Sequence, residues 1–535
     1  MLTRSRRPLR RQLPLLVAVI GLSACSLRQR ACAERPDKTV LVPRASSSSG
    51  GLTDVPYKNP VTCRHEGQGT DYPVGPGQKY ESVGDVPWEK LAAGDTVRIH
   101  HRPAPYREKI MVSGVGRADA PIRVCGVAGP NGELPIIDGE GATTRPSMDF
   151  PYDGHQVRGL VIVGKKHSSP YREQPEHIVV EGLEIRNAGP PHSFTDREGK
   201  KTPWAENAAG IFVQRASHLT IRACIIHDNM NGLFVGTSGA EELTTDVTIE
   251  GNYVYANAST ENYYQHNAYN ESSGIVYQFN RFGPPKSGPQ GVLGANIKER
   301  SAGVVIRYNW IEDGAHLIDL VDSQEARDPN VADKAFHESF VYGNVLVRGA
   351  KASGSMVHYG GDSGVFETYR KGTLRFFHNT VVVLNASHAD YETTQLFELS
   401  TNDENLVATN NVFFTEAKGV YKREVTLLGA RDGVVLGVAD LAGNWFSEGI
   451  TAQQQLKAEQ RGTVKGFDGA AFGAQPGFVD LAHLDLAPAA SSPLTNGAAA
   501  LELAPPHDLT KQYVLHGTSA PRGDTPRAVG AFAAK

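Results

Sequence analysis

The stretch Val304-Val-Ile-Arg-Tyr-Asn309 is short, rich in β-branched residues, alternating in character, and closed by asparagine. Five other segments follow the same template: Val247-Thr-Ile-Glu-Gly-Asn252, Ile275-Val-Tyr-Gln-Phe-Asn280, Phe340-Val-Tyr-Gly-Asn344, Leu374-Arg-Phe-Phe-His-Asn379 and Leu406-Val-Ala-Thr-Asn-Asn411. Successive asparagines are 28, 29, 35, 35 and 32 residues apart. Upstream, His177-Ile-Val-Val-Glu-Gly-Leu183 and His218-Leu-Thr-Ile-Arg-Ala-Cys224 keep the outline, with Leu and Cys in the asparagine slot. A repeat of this length built from short strands cannot bury its own apolar face, whereas stacked coils can. In such a stack a side-chain amide can hydrogen-bond to its copy one coil away, and asparagine tolerates the left-handed backbone of a tight turn. The sequence therefore reads as a solenoid of short strands.

These segments and their flanks resemble the right-handed parallel β-helix superfamily that includes pectate lyases, alginate lyases and chondroitinase B. Trp88-Glu-Lys-Leu-Ala-Ala-Gly-Asp95-Thr-Val-Arg-Ile99 resembles the capping helix and first strand of those proteins. Ala120-Pro-Ile-Arg-Val-Cys125 and Ile136-Ile-Asp-Gly139 resemble the coils that follow. Pro476-Gly-Phe-Val-Asp480, Ser492-Pro-Leu-Thr-Asn-Gly497 and Val529-Gly-Ala-Phe532 look like closing coils. The resemblance covers about residues 78 to 532. It implies an all-β fold, a single-stranded right-handed parallel β-helix with an N-terminal capping helix. Residues 420 to 470 could continue the coils or form an excursion. The likeness is specific for fold and much less so for activity, since this fold hosts lyases, hydrolases, epimerases, esterases and adhesins.

The chain has 535 residues, 40% hydrophobic and 21% charged, which suffices for a sizeable core. A net charge of −4 argues against nucleic acid as a partner. A polyanion would need a local basic site. Five arginines between Arg4 and Arg11 precede the apolar run Leu13 to Leu22, which is too short to span a bilayer. The run ends in Leu22-Ser23-Ala24-Cys25, which resembles a bacterial lipobox and implies lipidation of Cys25. Ser26 then favours outer-membrane sorting by the same resemblance. The expected organisation is a lipoprotein signal peptide over 1–25, a flexible tether over 26–52 and the β-helix domain over 53–535. The mature protein would sit in the cell envelope as a lipid-anchored monomer. In an oxidising compartment Cys63 with Cys125 is a plausible disulfide, and Cys224, inside a strand pattern, reads as a buried thiol.

The densest polar region spans residues 262 to 323. It holds Gln265-His266-Asn267-Ala268-Tyr269-Asn270-Glu271, then Ala295-Asn296-Ile297-Lys298-Glu299-Arg300, then His316-Leu-Ile-Asp319-Leu320. Strand alternation assigns the faces. With Ile297 inward, Lys298 and Arg300 point outward. Subtracting one 29-residue repeat puts Tyr269 beside Lys298 and Glu271 beside Arg300. Aligning Ile318, Val357 and Phe397 with Ile297 extends the outward column to Tyr269–Lys298–Asp319–His358–Glu398.

A uronate β-elimination needs its carboxylate neutralised, a base for the C5 proton and an acid for the leaving O4. Arg300 suits the carboxylate. Lys298 suits the base if its pKa falls toward neutrality, and Tyr269 or His358 suits the acid. His266, Asn267, Glu271, Asp319 and Glu398 are candidate substrate contacts, although His266 and Asn267 could instead cap a turn. In the lyases that the chain resembles, a Lys base, an Arg and a calcium ion divide these tasks. Oxygens for calcium could come from Asp319, Glu271 and Asp322. Tyr263, Tyr264, Tyr359 and Trp310 are either sugar platforms or core. The expected partner is an acidic polysaccharide, cleaved as by a polysaccharide lyase. The rivals are a glycoside hydrolase using Asp319 with Asp322 or Glu398, and a non-catalytic exopolysaccharide-binding or export factor.

Overall fold

The computed structural model describes Tyr57 and residues 61–237, 239–349, 354–384, 393–416, 424–454, 456–502, 506–515, 517–523 and 527–535. The expected signal peptide, Cys25 and the tether lie outside these residues. Three long parallel sheets account for most of the rest. Sheet 1 has thirteen strands, from Asp71–Val74 to Thr463–Lys465. Sheets 2 and 3 have eleven each, from Ile136–Asp138 to Ala471–Gly473 and from Ile110–Val112 to Ile450–Gln453. One coil passes through all three. Ser217–Arg222 lies in sheet 1, Ile225–His227 in sheet 2 and Asn231–Val235 in sheet 3, after which Thr245–Glu250 pairs beside Ser217–Arg222. The protein is a right-handed parallel β-helix, as the repeat implied.

Alternation builds the core. Leu219 and Ile221 stack on Val247 and Ile249, then on Ile275 and Tyr277, then on Val304 and Ile306, all buried. The corner after each sheet 1 strand carries the asparagines. The Asn252 amide donates to Asn280 Oδ1 at 3.0 Å, and the chain of such bonds continues through Asn309, Asn344, Asn379 and Asn411 to Asn444. Each amide also donates to a backbone carbonyl, as Asn309 does to Tyr277 at 3.0 Å, so the buried groups are satisfied. The left-handed backbone at this corner falls on the preceding residue, not on the asparagine. Gly251, Phe279, Tyr308, Gly343, His378, Asn410 and Gly443 all have φ near +60°. That division leaves the asparagine side chain pointed inward along the stack. A second ladder, Asn229–Asn257–Asn267–Asn296, runs between sheets 2 and 3.

The ends differ from expectation. The first strand is Asp71–Val74, paired to Thr96–His100, and the expected capping helix is a single 3-10 turn, Trp88–Lys90. Pro87 precedes that turn, and Gly94, at φ +84°, is already bonded to Ala120, so no room remains for a longer helix. Trp88 is fully buried, with its indole N–H on the Val83 carbonyl at 2.8 Å, and seals the end. Cys63 and Cys125 form a disulfide, and Cys224 is a buried free thiol.

The described residues between 424 and 470 continue the coils, through Val438–Ala442, Trp445–Ser447, Ile450–Gln453 and Thr463–Lys465. The three C-terminal segments expected as closing coils are not coils. They fold back as a strap containing two hairpins, Phe478–Asp480 with Asp485–Pro488 and Lys511–Val514 with Thr518–Pro521. Leu486, Leu494, Tyr513 and Val529 cover Trp310, Val345, Val382, Val412 and Trp445. These outward residues of sheet 2 are apolar, and the strap removes them from water.

Candidate active site

Sheet 3 carries the predicted column. Tyr269 pairs in register with Lys298, Lys298 with Asp319, Asp319 with His358 and His358 with Glu398. Their inward neighbours Ile297, Ile318, Leu320, Val357, Tyr359 and Phe397 belong to the core, which fixes the outward direction of the polar set. The column floors a cleft of about 1290 Å³ that also takes in Arg300, His266, His316, Asp362 and Arg431.

Lys298 Nζ lies 2.6 Å from Asp319 Oδ2 and 2.5 Å from Asp362 Oδ2. Arg300 donates from Nη2 to Asp362 Oδ1 at 3.2 Å, from Nε to the Tyr269 hydroxyl at 3.0 Å and from Nη1 to the Asp322 carbonyl at 2.5 Å. Asp362 thus bridges the two cations. Burial would lift its carboxyl, but Lys298 and Arg300 pull it down to about 2. Burial likewise works against charge on Lys298, yet Asp319 and Asp362 carry its pKa above the ordinary lysine value. This overturns the expectation of a depressed Lys298: two carboxylates outweigh the neighbouring Arg300, and the ammonium is no base at neutral pH.

The histidines divide. His266 is buried, accepts the Ala295 N–H on Nδ1 at 3.0 Å, and is pushed by burial to about 3, hence neutral. His316 Nδ1 lies 2.8 Å from the Ser355 carbonyl, which only accepts, so Nδ1 holds the proton and Nε2 keeps a lone pair. Burial also lowers the His316 pKa. His358 behaves oppositely: burial opposes its charge, but the Asp319 carboxylate 2.7 Å from Nδ1 raises its pKa overall. The two rings lie 5.4 Å apart. Asp319, shared by Lys298 and His358, stays well below the usual carboxylate range because those cations and His316 outweigh its burial.

Two expected contacts are not in the cleft. Asn267 is fully buried in the second ladder. Glu271 is buried too, and turns away from substrate to accept the backbone N–H groups of Gln324, Glu325 and Ala326. Asp319, Glu271 and Asp322 therefore do not assemble as calcium ligands. Among the described residues the one such trio that converges is His316, Asp319 and His358, with ligand atoms within 4.8 Å. It fits calcium poorly, because calcium takes oxygen ligands and an ammonium already sits 2.6 Å from Asp319. Of the four aromatics, Tyr359 and Trp310 are buried, while Tyr263 and Tyr264 stand 66% and 67% exposed at the cleft.

His316 and Asp362 were missed as site residues. Both lie in turns flanking sheet 3 strands, where alternation assigns no face. Their only signal was proximity in sequence to Asp319 and His358.

No family profile matches the chain, and no curated protein matches it. Solved structures to which it is similar include pectate lyase Pel9A, 12% identical over 87% of this chain and 96% of that one, with a TM-score of 0.37. Others are an alginate lyase from Paenibacillus sp. str. FPU-7 (12%, 72% and 94%, TM-score 0.30) and the GH136 lacto-N-biosidase from Eubacterium ramulus (11%, 76% and 68%, TM-score 0.37). Nothing about the site follows from similarities this distant.

Proposed function

We propose that the protein is an extracytoplasmic polysaccharide lyase that cleaves a uronate-containing chain by β-elimination in the sheet 3 cleft. The observation that carries this reading is the pair of imidazoles 5.4 Å apart whose surroundings push their protonation in opposite directions, beside two cations already sharing one carboxylate. Paired groups with divergent pKa values are the mark of an acid and a base. In this reading the substrate carboxylate takes the place of Asp362 between Lys298 and Arg300, which acidifies C5. His316 Nε2 removes the C5 proton, the C5 electron pair forms the C4–C5 double bond, and the C4–O4 bond breaks. His358, whose protonated form Asp319 favours and whose Nε2 lies 2.8 Å from Ser400 Oγ, returns its Nε2 proton to the leaving O4. Tyr269 keeps Arg300 oriented, and Tyr263 and Tyr264 stack on flanking sugars.

A two-carboxylate hydrolysis needs one carboxyl that carries a proton. Asp319 and Asp362 are both held ionised, which disfavours a hydrolysis in which either is the acid. The lipobox-like Leu22 to Cys25 would tether the enzyme to the envelope, and fatty-acid labelling lost in Cys25→Ser would test that.

The deciding assay follows ultraviolet absorbance of unsaturated ends on a panel of uronate polysaccharides. His316→Gln is expected to lower kcat by about 10²- to 10⁴-fold. Reducing ends without new absorbance would replace elimination with hydrolysis.

A further inference from the structure

A second cavity, about 310 Å³, opens on the same sheet nearer the N-terminal end of the β-helix. Sites for small ligands start at roughly this size, about 300 Å³. Lys165 follows the sheet 3 strand Gly159–Gly164, and Arg215 follows the next one, Ala209–Gln214. Both cations lie over the ring of Tyr171, at 5.6 and 5.5 Å from its centroid. Tyr171 and its neighbour Tyr152 are 56% and 54% exposed.

The cations are incompletely partnered. Lys165 donates to the carbonyls of Ser169 and Pro170 at 3.3 and 3.2 Å, and among the described residues no carboxylate pairs with it. Arg215 is buried, donates to the carbonyls of Glu241 and Tyr171, and forms a loose ion pair at 3.6 Å with Glu242, which also lines the cavity, so that Lys165 supplies the cavity's net positive charge. The Arg215 Nε has no partner. From Val213 the register steps to Val235, Asn270 and Glu299, so the strand of Lys298 is three rungs away. At about 4.8 Å per rung that is about 14 Å along the axis.

We infer that this cavity is a remote subsite that holds an acidic sugar of a chain whose other end lies in the sheet 3 cleft. The Tyr171 ring offers a face to the sugar's C–H surface, and Lys165 with Arg215 offers its carboxylate a cationic socket. The inference rests on the reading of the cleft as a uronate-polymer site, and it adds a length dependence. Only chains several sugars long can touch both places.

The test has two arms, each on the full-length protein with Tyr171→Ala and Lys165→Gln. These two side chains are at the surface, so the variants are expected to melt as the wild type does. In affinity gels containing polygalacturonate, alginate or hyaluronan, at least one acidic polymer should retard the wild type, a neutral glucan should not, and both variants should be retarded less. In kinetics on the polymer that is cleaved, each variant should raise KM roughly tenfold, the loss of about one charge-assisted contact, with kcat unchanged. Turnover of a trisaccharide should not move. Equal retardation of wild type and variants, or an unchanged polymer KM, overturns the subsite. Reduced retardation of the variants without cleavage of any polymer by the wild type leaves the subsite standing and removes the elimination reading instead.

Discussion

Asp319 holds the protonation pattern of the cleft, because it touches Lys298 through one oxygen and His358 through the other. Asp319→Asn should release the proton of His358 and move the alkaline limb of the pH–rate profile to lower pH. A limb that stays in place would exclude His358 as the acid. The same shift has a stability signature. His358 has a folded pKa above its unfolded value of 6.5, so its contribution is complete below that pH and is lost as pH rises through the folded value. Melts of wild type against His358→Asn should diverge on the acid side and converge on the alkaline side. Among the ladder residues, Asn309→Ala takes the acceptor from the Asn280 backbone N–H and from one of its side-chain N–H groups, and takes a donor from the Tyr277 carbonyl. Denaturant unfolding should show a loss of about 1–3 kcal/mol for each buried group left unsatisfied. The asparagines were legible in sequence because their spacing repeats. The charge on Lys298 was only half legible: Asp319 was already in its column, but the second carboxylate, Asp362, lies in a turn 64 residues away.

At the level of elements, a strand transmits its register to the side chains and a turn does not. Tyr269 could therefore be aligned with Lys298 from the asparagine repeat, and Asp319, His358 and Glu398 from apolar anchors. Glu271 could not be read correctly, because it follows its strand and its direction is set by the turn at residues 323–326. That turn is bound to Glu271 through three backbone N–H groups and the Ser323 hydroxyl, and it presents Gln324 and Glu325 to the cleft. Glu271→Ala should destabilise the fold by on the order of 2–3 kcal/mol, the scale of hydrogen bonds to a charged group. Hydrogen exchange at residues 324–326 should accelerate, and KM should rise more than kcat falls. Unchanged exchange there would show that the turn is held by something else.

Across the whole molecule, the central coils could be recognised from sequence, but the C-terminal strap could not and was read as further coils. Its apolar residues carry no period that distinguishes a covering layer from another coil. The strap is held at separated rungs. Ala499 bonds to Asn410, Tyr308 donates to the Asp508 carbonyl, and Gly517 at φ +80° abuts Gly251 so closely that a Cβ would lie 2.5 Å from its carbonyl oxygen. From Gly251 to Asn410 the corner steps through Phe279, Tyr308, Gly343 and His378, five rungs or about 24 Å. A solenoid whose coils meet only their neighbours can gain or lose a unit and close up again. Here the strap works as a gauge. Excising residues 309–343, one whole coil, would keep the asparagine ladder continuous yet leave the strap a rung too long for its anchors. Such a deletion should melt far lower than the ladder alone predicts, and removing the strap's Leu509–Val514 footing as well should not restore it, because Trp310's neighbours would then face water. The coil number of this protein is thus measured by its own tail, and drift in repeat count is checked from outside the stack.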